Sequence, residues 1–468
     1  MLEKYNNKKI LIAGFGVEGK STFEFLKGKG LEADVAENFN KIESVMDYDV
    51  VFRSPGISYY DSKLVKERGN GAEITSQIKL FMDLCPAQTI GITGTKGKGT
   101  TATLIYEILK ASRKDVYLGG NIGVPAISLL DKLSEDSIAV LELSSFQLID
   151  LAKSPNIAVV LNITEDHLDI HADRDEYVEA KTSIVRYQTN DDFAVINVDY
   201  ETSSSFRNLT KAQIFEISTS SVIPSAAATE VRSPLKNNGG MRFLLASFYE
   251  VGRNDNDCGI CYINNNDAVE LVDGGNEVKI ASLEDLQLRG RHNLENVCAA
   301  VAASYLAGAD LESIRKTVRT FKGLEHRLEF VAEVGRVKYY NDSFATTPEA
   351  TLAAINAFDE PIILIAGGSR KAADYIEMGK AIAERVKIVF LIGDTTEEIK
   401  EKILAVNSRV EVREGFEGME KLVKKASGAA KPGYVVVLSP GCASFGLFHN
   451  YKERGELFKQ AVGRLNLE

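Results

Sequence analysis

The sequence predicts an α/β protein built from several mostly parallel sheets, and three observations carry that expectation. Apolar, strand-like runs stop again and again at glycine-rich or small polar turns and then give way to helical stretches, the alternation that builds parallel sheets covered by helices. One such turn, Gly91-Ile-Thr-Gly94-Thr-Lys-Gly97-Lys98-Gly99-Thr100-Thr101, has the composition of a phosphate loop. The length of 468 residues exceeds one ordinary core and suggests about three domains.

The first segment, 1–87, opens with the strand Lys9-Ile-Leu-Ile-Ala, the turn Gly14-Phe-Gly16-Val-Glu-Gly19 and a helix over 20–29. A second strand over 31–36 ends at Glu37, and Asp49-Val-Val-Phe meets the turn Ser54-Pro-Gly56. The glycines suit a tight turn and a close approach to phosphate, and the acid suits a ribose, for NAD or for another phosphate-bearing ligand. The second segment, 88–322, carries the phosphate loop, a helix over 102–110, and strands over 138–143 and 157–161. These strands end in Glu142-Leu-Ser-Ser-Phe-Gln147 and Asn162-Ile-Thr-Glu-Asp166-His167-Leu-Asp169. Residues 218–280 mix Ser, Ala, Asn and Gly with short alternating runs, read as hairpins and loops without catalytic residues. The third segment, 323–468, repeats the strand–turn–helix pattern at Asp342-Ser, Gly368-Ser-Arg-Lys371, Gly-Asp394 and Ser439-Pro-Gly.

Composition narrows the class. Hydrophobic residues make up 44% and charged residues 26%, as in a soluble globular protein. No apolar run approaches the ~20 residues of a membrane span, and the first residues lack a signal-peptide core. Five cysteines, odd and sparse, fit a reducing, cytoplasmic setting, and Cys258 and Cys261 read as ordinary thiols. A net charge of −11 argues against nucleic acid as a partner, so anionic substrates must be met by local cations and helix termini.

The phosphate loop implies a nucleoside triphosphate. Backbone N–H groups at a helix N-terminus favour phosphate, Lys98 reaches its terminal oxygens, and Thr100 or Thr101 offers a hydroxyl to Mg2+. Glu142, ending an apolar strand, suits a second Mg2+ contact. His167 and His171 lack the intervening glutamate of a zinc-protease helix, so His167 is read as a Mg2+ ligand, a substrate contact or a structural histidine. Lys181 reads as an ordinary helix lysine. Asn293 and Asn296 can meet a base edge or cap a helix.

These strings, together with Gly120-Asn121-Ile-Gly and Leu438-Ser-Pro-Gly-Cys-Ala-Ser444-Phe445, resemble the Mur ligases over nearly the full chain, in particular their D-glutamate-adding branch. The resemblance implies three α/β domains: a Rossmann-like N-terminal domain, a central P-loop ATPase domain and a Rossmann-like C-terminal domain. It implies that Gly14, Val17, Glu18, Glu37, Asn38, Ser54 and Gly56 hold the uridine diphosphate end of UDP-N-acetylmuramoyl-L-alanine, with Asn121, Ser144 and Gln147 near its remainder. ATP would meet Gly94, Thr95, Lys96, Gly97, Lys98, Gly99 and Thr100, with Asn293 and Asn296 at adenine, Arg327 at phosphate and Asp342 at ribose. Two Mg2+ would be held among Thr100, Thr101, Glu142, His167 and a carbamylated Lys181, and Thr346, Lys371, Ser444, Phe445 and Tyr451 would hold D-glutamate. Lys98, Glu142, His167 and Lys181 would be the catalytic set of a cytoplasmic, monomeric, ATP-dependent ligase of peptidoglycan precursor synthesis.

Two positions depart from the branch. Phe344 stands where lysine is common, and Gly99 resembles the folylpolyglutamate synthases, the alternative amino-acid ligases. Against that alternative, a whole nucleotide-type domain precedes the phosphate loop. Against an NAD-binding protein, nothing near the first glycine turn supplies hydride chemistry.

Overall fold

The computed structural model describes residues 2–41, 45–164, 173–219, 257–264, 267–288, 290–370, 373–406, 410–415 and 417–465. The chain divides into two compact units, one holding 1–286 and 292–320, the other 287–291 and 321–468.

The first unit contains two sheets. The smaller has strands β1 (Ile10–Ala13), β2 (Asp34–Ala36), β3 (Val50–Arg53) and β4 (Glu73–Thr75), in the order β2-β1-β3-β4, all pairs parallel. The helix Val17–Gly28 follows β1, three residues earlier than its expected start. The close approach expected of its glycines is real. A Cβ on Gly19 would fall 2.1 Å from the Gly14 carbonyl oxygen, so only glycine lets this helix begin against the end of β1.

The larger sheet has β5 (Gln88–Thr93), β6 (Val116–Gly120), β7 (Ile138–Glu142), β8 (Ile157–Val160), β9 (Phe193–Asn197), β10 (Gln213–Ser218), β11 (Asp257–Ile263), β12 (Ala268–Asp273) and β13 (Asn276–Ser282). Their order is β13-β12-β11-β10-β9-β8-β5-β7-β6. Pairs from β6 to β11 are parallel, and β11-β12-β13 close the edge as antiparallel neighbours. Of the stretch 218–280, expected as hairpins and loops, 257–282 forms antiparallel hairpins, while 220–256 lies outside the described residues. Strands β5, β7 and β8 are buried along nearly their whole length, as sheets covered on both faces require. Their core includes Ile78, Phe81, Leu141, Leu148, Tyr177, Ile184 and Phe206.

A buried ion pair ties the two sheets together. Arg53 closes β3 with its side chain 1% exposed, and its Nη2 lies 3.8 Å from Asp150 Oδ1, itself 2% exposed. Arg53 also donates to the carbonyls of Ile57 (2.8 Å) and Phe146 (2.7 Å). Burial pushes the Asp150 carboxyl up against the pull of Arg53 and pushes the Arg53 guanidinium down.

The second unit is a six-stranded sheet of β14 (Glu329–Val334), β15 (Val337–Asn341), β16 (Ile362–Gly367), β17 (Val386–Ile392), β18 (Glu411–Glu414) and β19 (Val435–Leu438), ordered β14-β15-β19-β16-β17-β18. Only β14 runs antiparallel, and apolar clusters cover both faces. At the C-terminal ends of β15 and β19, Asp342 accepts from Ser439 Oγ (2.7 Å) and the Leu328 N–H (3.1 Å). Burial pushes its carboxyl up to about 7.

Truncating Asp150 to Ala strands the Arg53 charge in a buried site, a loss on the order of 3–5 kcal/mol. The expected result is an earlier thermal transition of the first unit, and an unchanged melting curve would show the pair to be dispensable. Asp342 supplies a pH dependence. Its folded pKa lies above the unfolded carboxylate value of about 3.9, so its contribution is full below that value and lost as pH rises through about 7. Asp342→Asn is expected to flatten the fall in melting temperature of the ligand-free protein between those limits. A wild type that gains stability relative to the variant as pH rises would reverse the assignment.

Candidate active site

The phosphate loop joins β5 to the helix Lys98–Ala111, which starts four residues earlier than expected because Gly97 caps it at φ +88°. That left-handed conformation suits glycine. Space demands it too, since a Cβ on Gly97 would sit 2.1 Å from Asn296 Oδ1. The loop is braced from the end of β8. The Thr95 N–H donates to the Asn162 carbonyl (2.6 Å) and the Lys96 N–H to Asn162 Oδ1 (3.0 Å). Thr95 Oγ1 donates to the Thr164 carbonyl (3.1 Å), accepts from the Thr164 N–H (2.9 Å) and lies 3.0 Å from the Tyr177 hydroxyl. Lys98 Nζ folds back on its own loop, donating to the carbonyls of Gly94 (3.0 Å) and Thr95 (3.1 Å).

Around this loop gather several of the expected residues. Glu142 is 7% exposed and accepts from Asn121 Nδ2 at 2.7 Å. Its other carboxylate oxygen has no hydrogen bond among the described residues, which fits a cation ligand. Thr101 Oγ1 donates to Asn296 Oδ1 (3.2 Å), and Asn296 Nδ2 donates to Asn293 Oδ1 (3.0 Å). Asn293 lies in the first turn of the helix Arg291–Leu306 and Asn296 in its second, so neither stands at the N-cap position, and the pair faces the phosphate loop through Asn296.

Lys181 departs furthest from its local reading as an ordinary helix lysine. It is 1% exposed, its Nζ lies 3.4 Å from both Thr93 Oγ1 and the Gly94 carbonyl, and it sits 4.6 Å from the centre of the Tyr177 ring. A signal was present in the sequence, because Lys181 follows Tyr177 by four residues and precedes Ile184 by three on the apolar stripe of the helix Arg174–Arg186. His167 and its neighbours 165–172 lie outside the described residues.

The glycine turn after β1 opens into a cavity of ≈ 590 Å³ lined by Gly14, Val17, Glu18, Glu37, Asn38, Ser54 and Gly56, with Phe15, Phe39 and Ile57 adding apolar walls. All seven residues expected around the first ligand meet there. Asn121, Ser144 and Gln147 do not line it. Ser144 and Gln147 form a capping box at the end of β7, and Gln147 Nε2 donates to Glu18 Oε1 at 2.6 Å, linking the cavity to the larger sheet. Burial raises the Glu18 pKa. The sequence reading missed Arg53, whose bond to the Ile57 carbonyl holds the cavity wall; an arginine closing the buried strand Val50–Arg53 was the available clue.

In the second unit the turns after β15, β16 and β19 meet at one sheet edge, where parallel strands place ligands. The Gly441 N–H donates to the Ala345 carbonyl (2.9 Å) and the Ser369 N–H to that of Ala443 (3.0 Å). Ser444 is buried, while Phe445 and Phe344 are exposed. The Arg327 guanidinium lies 4.4 Å from the Phe344 ring centre, and Tyr451 meets that ring edge-on at 5.0 Å. Lys371 lies outside the described residues. A second cavity, ≈ 340 Å³ and lined by Lys322, Glu325, Glu329 and Lys459 among others, holds none of the expected ligand residues. Its acids are paired with Lys459.

Comparison with known proteins converges on one family. A family model described as "Mur ligase middle domain" matches residues 92–304, and one described as "Mur ligase, glutamate ligase domain" matches 326–442. A UDP-N-acetylmuramoylalanine--D-glutamate ligase of Acetivibrio thermocellus is 35% identical over 99% of this chain and 98% of its own length. One of Symbiobacterium thermophilum is 40% identical over 91% and 86%. Among solved structures, UDP-N-acetylmuramate-alanine ligase of Thermotoga maritima aligns over 98% of this chain and 100% of its own, with a TM-score of 0.55 at 17% identity. MurF of Acinetobacter baumannii aligns over 83% and 78% with a TM-score of 0.58 at 17% identity. With both family models matched and relatives this similar along the whole chain, the protein belongs to the Mur ligase family, in its D-glutamate-adding branch.

Proposed function

We propose that this chain joins D-glutamate to the L-alanine carboxylate of UDP-N-acetylmuramoyl-L-alanine at the expense of ATP, a step of peptidoglycan precursor synthesis in the cytoplasm. The observation that carries the reading is the braced phosphate loop with Glu142 and Lys181 buried beside it, in a chain 33–40% identical to ligases so named. Relatives so named along nearly the whole chain favour this reading over a folylpolyglutamate synthase. No helix among the described residues is long and apolar enough to cross a membrane.

A carboxylate is a poor electrophile, so the reaction first needs a leaving group. The substrate carboxylate attacks the γ-phosphorus of ATP, giving an acyl phosphate and ADP. The amine of D-glutamate then adds to the activated carbonyl, and the tetrahedral intermediate expels phosphate. The protein's share is alignment and charge neutralisation. Lys98 leaves its loop carbonyls for the phosphates, and the N-terminus of the helix Lys98–Ala111 faces them. The cavity beside Gly14 takes the uridine diphosphate. Asn293 and Asn296 are assigned to adenine, Arg327 and Asp342 to phosphate and ribose, and Thr346, Lys371, Ser444, Phe445 and Tyr451 to D-glutamate.

Two Mg2+ are proposed, and when bound they withdraw charge from the phosphate oxygens. Thr100 or Thr101 supplies the hydroxyl ligand, since the bond that Thr101 donates to Asn296 leaves its oxygen lone pairs free, with Glu142, His167 and a carbamylated Lys181 as the anionic and imidazole ligands. Carbamylation adds CO2 to the neutral Lys181 amine with loss of a proton, turning a buried cation into an anion.

Phosphate release with UDP-N-acetylmuramoyl-L-alanine, ATP and a panel of amino acids tests the reaction. Turnover is expected with D-glutamate, and a preference for L-glutamate or another amino acid would overturn the substrate assignment. Lys98→Ala is expected to lose turnover by on the order of 10³-fold while UDP-substrate binding, followed by calorimetry, stays close to wild type. An equal loss of that affinity would contradict separate sites.

Lys181→Ala is expected to be nearly inactive and partly rescued by acetate or formate, small anions that fit the emptied space. Lys181→Arg, which keeps the positive charge and fills the space, is expected to stay inactive with either salt. Full activity of Lys181→Ala would remove the carbamate from the mechanism.

A further inference from the structure

The largest fully buried side chain among the described residues is Arg454, 0% exposed in the helix Tyr451–Leu465. Its Nε donates to Ser343 Oγ (2.9 Å), its Nη2 to the Ser343 carbonyl (2.8 Å) and its Nη1 to the Cys442 carbonyl (3.3 Å). Every partner is neutral. The carboxylate that acts on it through space is Asp342, whose oxygens accept from Ser439 and Leu328. Burial lowers its pKa to about 10, which leaves the guanidinium charged at neutral pH. A buried cation without an ion-pair partner is disfavoured unless its surroundings or a ligand compensate it.

Its place in the fold says what it could compensate. Ser343 belongs to the turn after β15, which leads to Thr346, and Cys442 belongs to the turn after β19, which leads to Ser444 and Phe445. Arg454 bonds both turns at once. Ser343 Oγ closes the arrangement by donating to the Tyr451 carbonyl at 2.7 Å, at the start of the helix that carries Arg454.

We infer that Arg454 is a positioning residue for the amino-acid site: its three donors hold the two turns in register, and its unmatched charge favours an incoming amino acid with an acidic side chain. The inference rests on the reading of D-glutamate as that amino acid. It accounts for a charge that the mechanism above does not use, in a helix whose expected ligand contact was Tyr451 alone.

The test compares wild type, Arg454→Lys and Arg454→Gln by phosphate release at varied D-glutamate, D-glutamine and ATP. Arg454→Lys keeps the charge but not the three-way geometry, so its KM for D-glutamate is expected to rise about tenfold while the KM for ATP stays within about twofold. Arg454→Gln loses the charge as well, and its preference for D-glutamate over D-glutamine, as a ratio of kcat/KM, is expected to fall about tenfold or more. A role confined to folding would lower the melting temperature without moving that ratio, which would overturn the inference. Where Arg454→Gln does not fold, Arg454→Lys decides alone: an unchanged KM for D-glutamate, or equal rises for both substrates, overturns it. Wild-type turnover keeps the two readings apart. Absence of D-glutamate-dependent release in wild type removes the ligase reading, whereas normal release with unmoved variants removes only the role of Arg454.

Discussion

The contact between Gly97 and Asn296 sets the terms for the rest of the nucleotide site. With φ at +88° and Asn296 Oδ1 occupying the space of a Cβ, residue 97 is constrained by both backbone and neighbour. The approach joins elements almost 200 residues apart, since the Thr101–Asn296 bond spans 195 positions. Asn162 braces the other side of the same loop. A loop that must present several N–H groups to a phosphate loses alignment if it can wander, and here two asparagines hold it before any ligand arrives.

Buried positive charge is the second organising theme. The chain is acidic overall, at −11, yet Arg53, Lys181 and Arg454 are each 2% exposed or less. Arg53 closes a strand, whereas Lys181 and Arg454 reach from helices to the turns that follow β5, β15 and β19, which is where parallel sheets gather their ligands. Arg53 has Asp150 as a counter-ion and Arg454 has none within ion-pair distance among the described residues, so the two guanidinium groups do different work. Arg53 locks the smaller sheet of the first unit to the larger, and Arg454 binds turns to one another within the second unit.

Much of this was legible in the order of residues because glycine and apolar runs act locally. The strands β1, β3, β5, β7 and β16 end within a residue or two of where their apolar runs end, and the phosphate loop and the cavity beside Gly14 follow from turn chemistry. The strand expected over 31–36 shrank to Asp34–Ala36, since Leu31 and Glu32 have no partner strand there to extend the pairing. Lys181 was only partly legible. Its place on the apolar stripe with Tyr177 and Ile184 marks the buried face of its helix, but the strand end that this face meets is set by residues distant along the chain. Arg454 was less legible still: a charged residue in a charged helix, distinguished only by what folds over it.

Lys98 carries a consequence for selectivity. In the ligand-free protein its ammonium is hydrogen-bonded to the carbonyls of Gly94 and Thr95, so an arriving anion does not meet a bare cation. It enters an exchange, and its gain is the difference between its own attraction and that of two peptide dipoles it displaces. A singly charged ion such as chloride or acetate has little margin in that exchange. A triphosphate, with several charges and many acceptor oxygens, has a large one. The exchange therefore favours an anion of high charge density over a singly charged one.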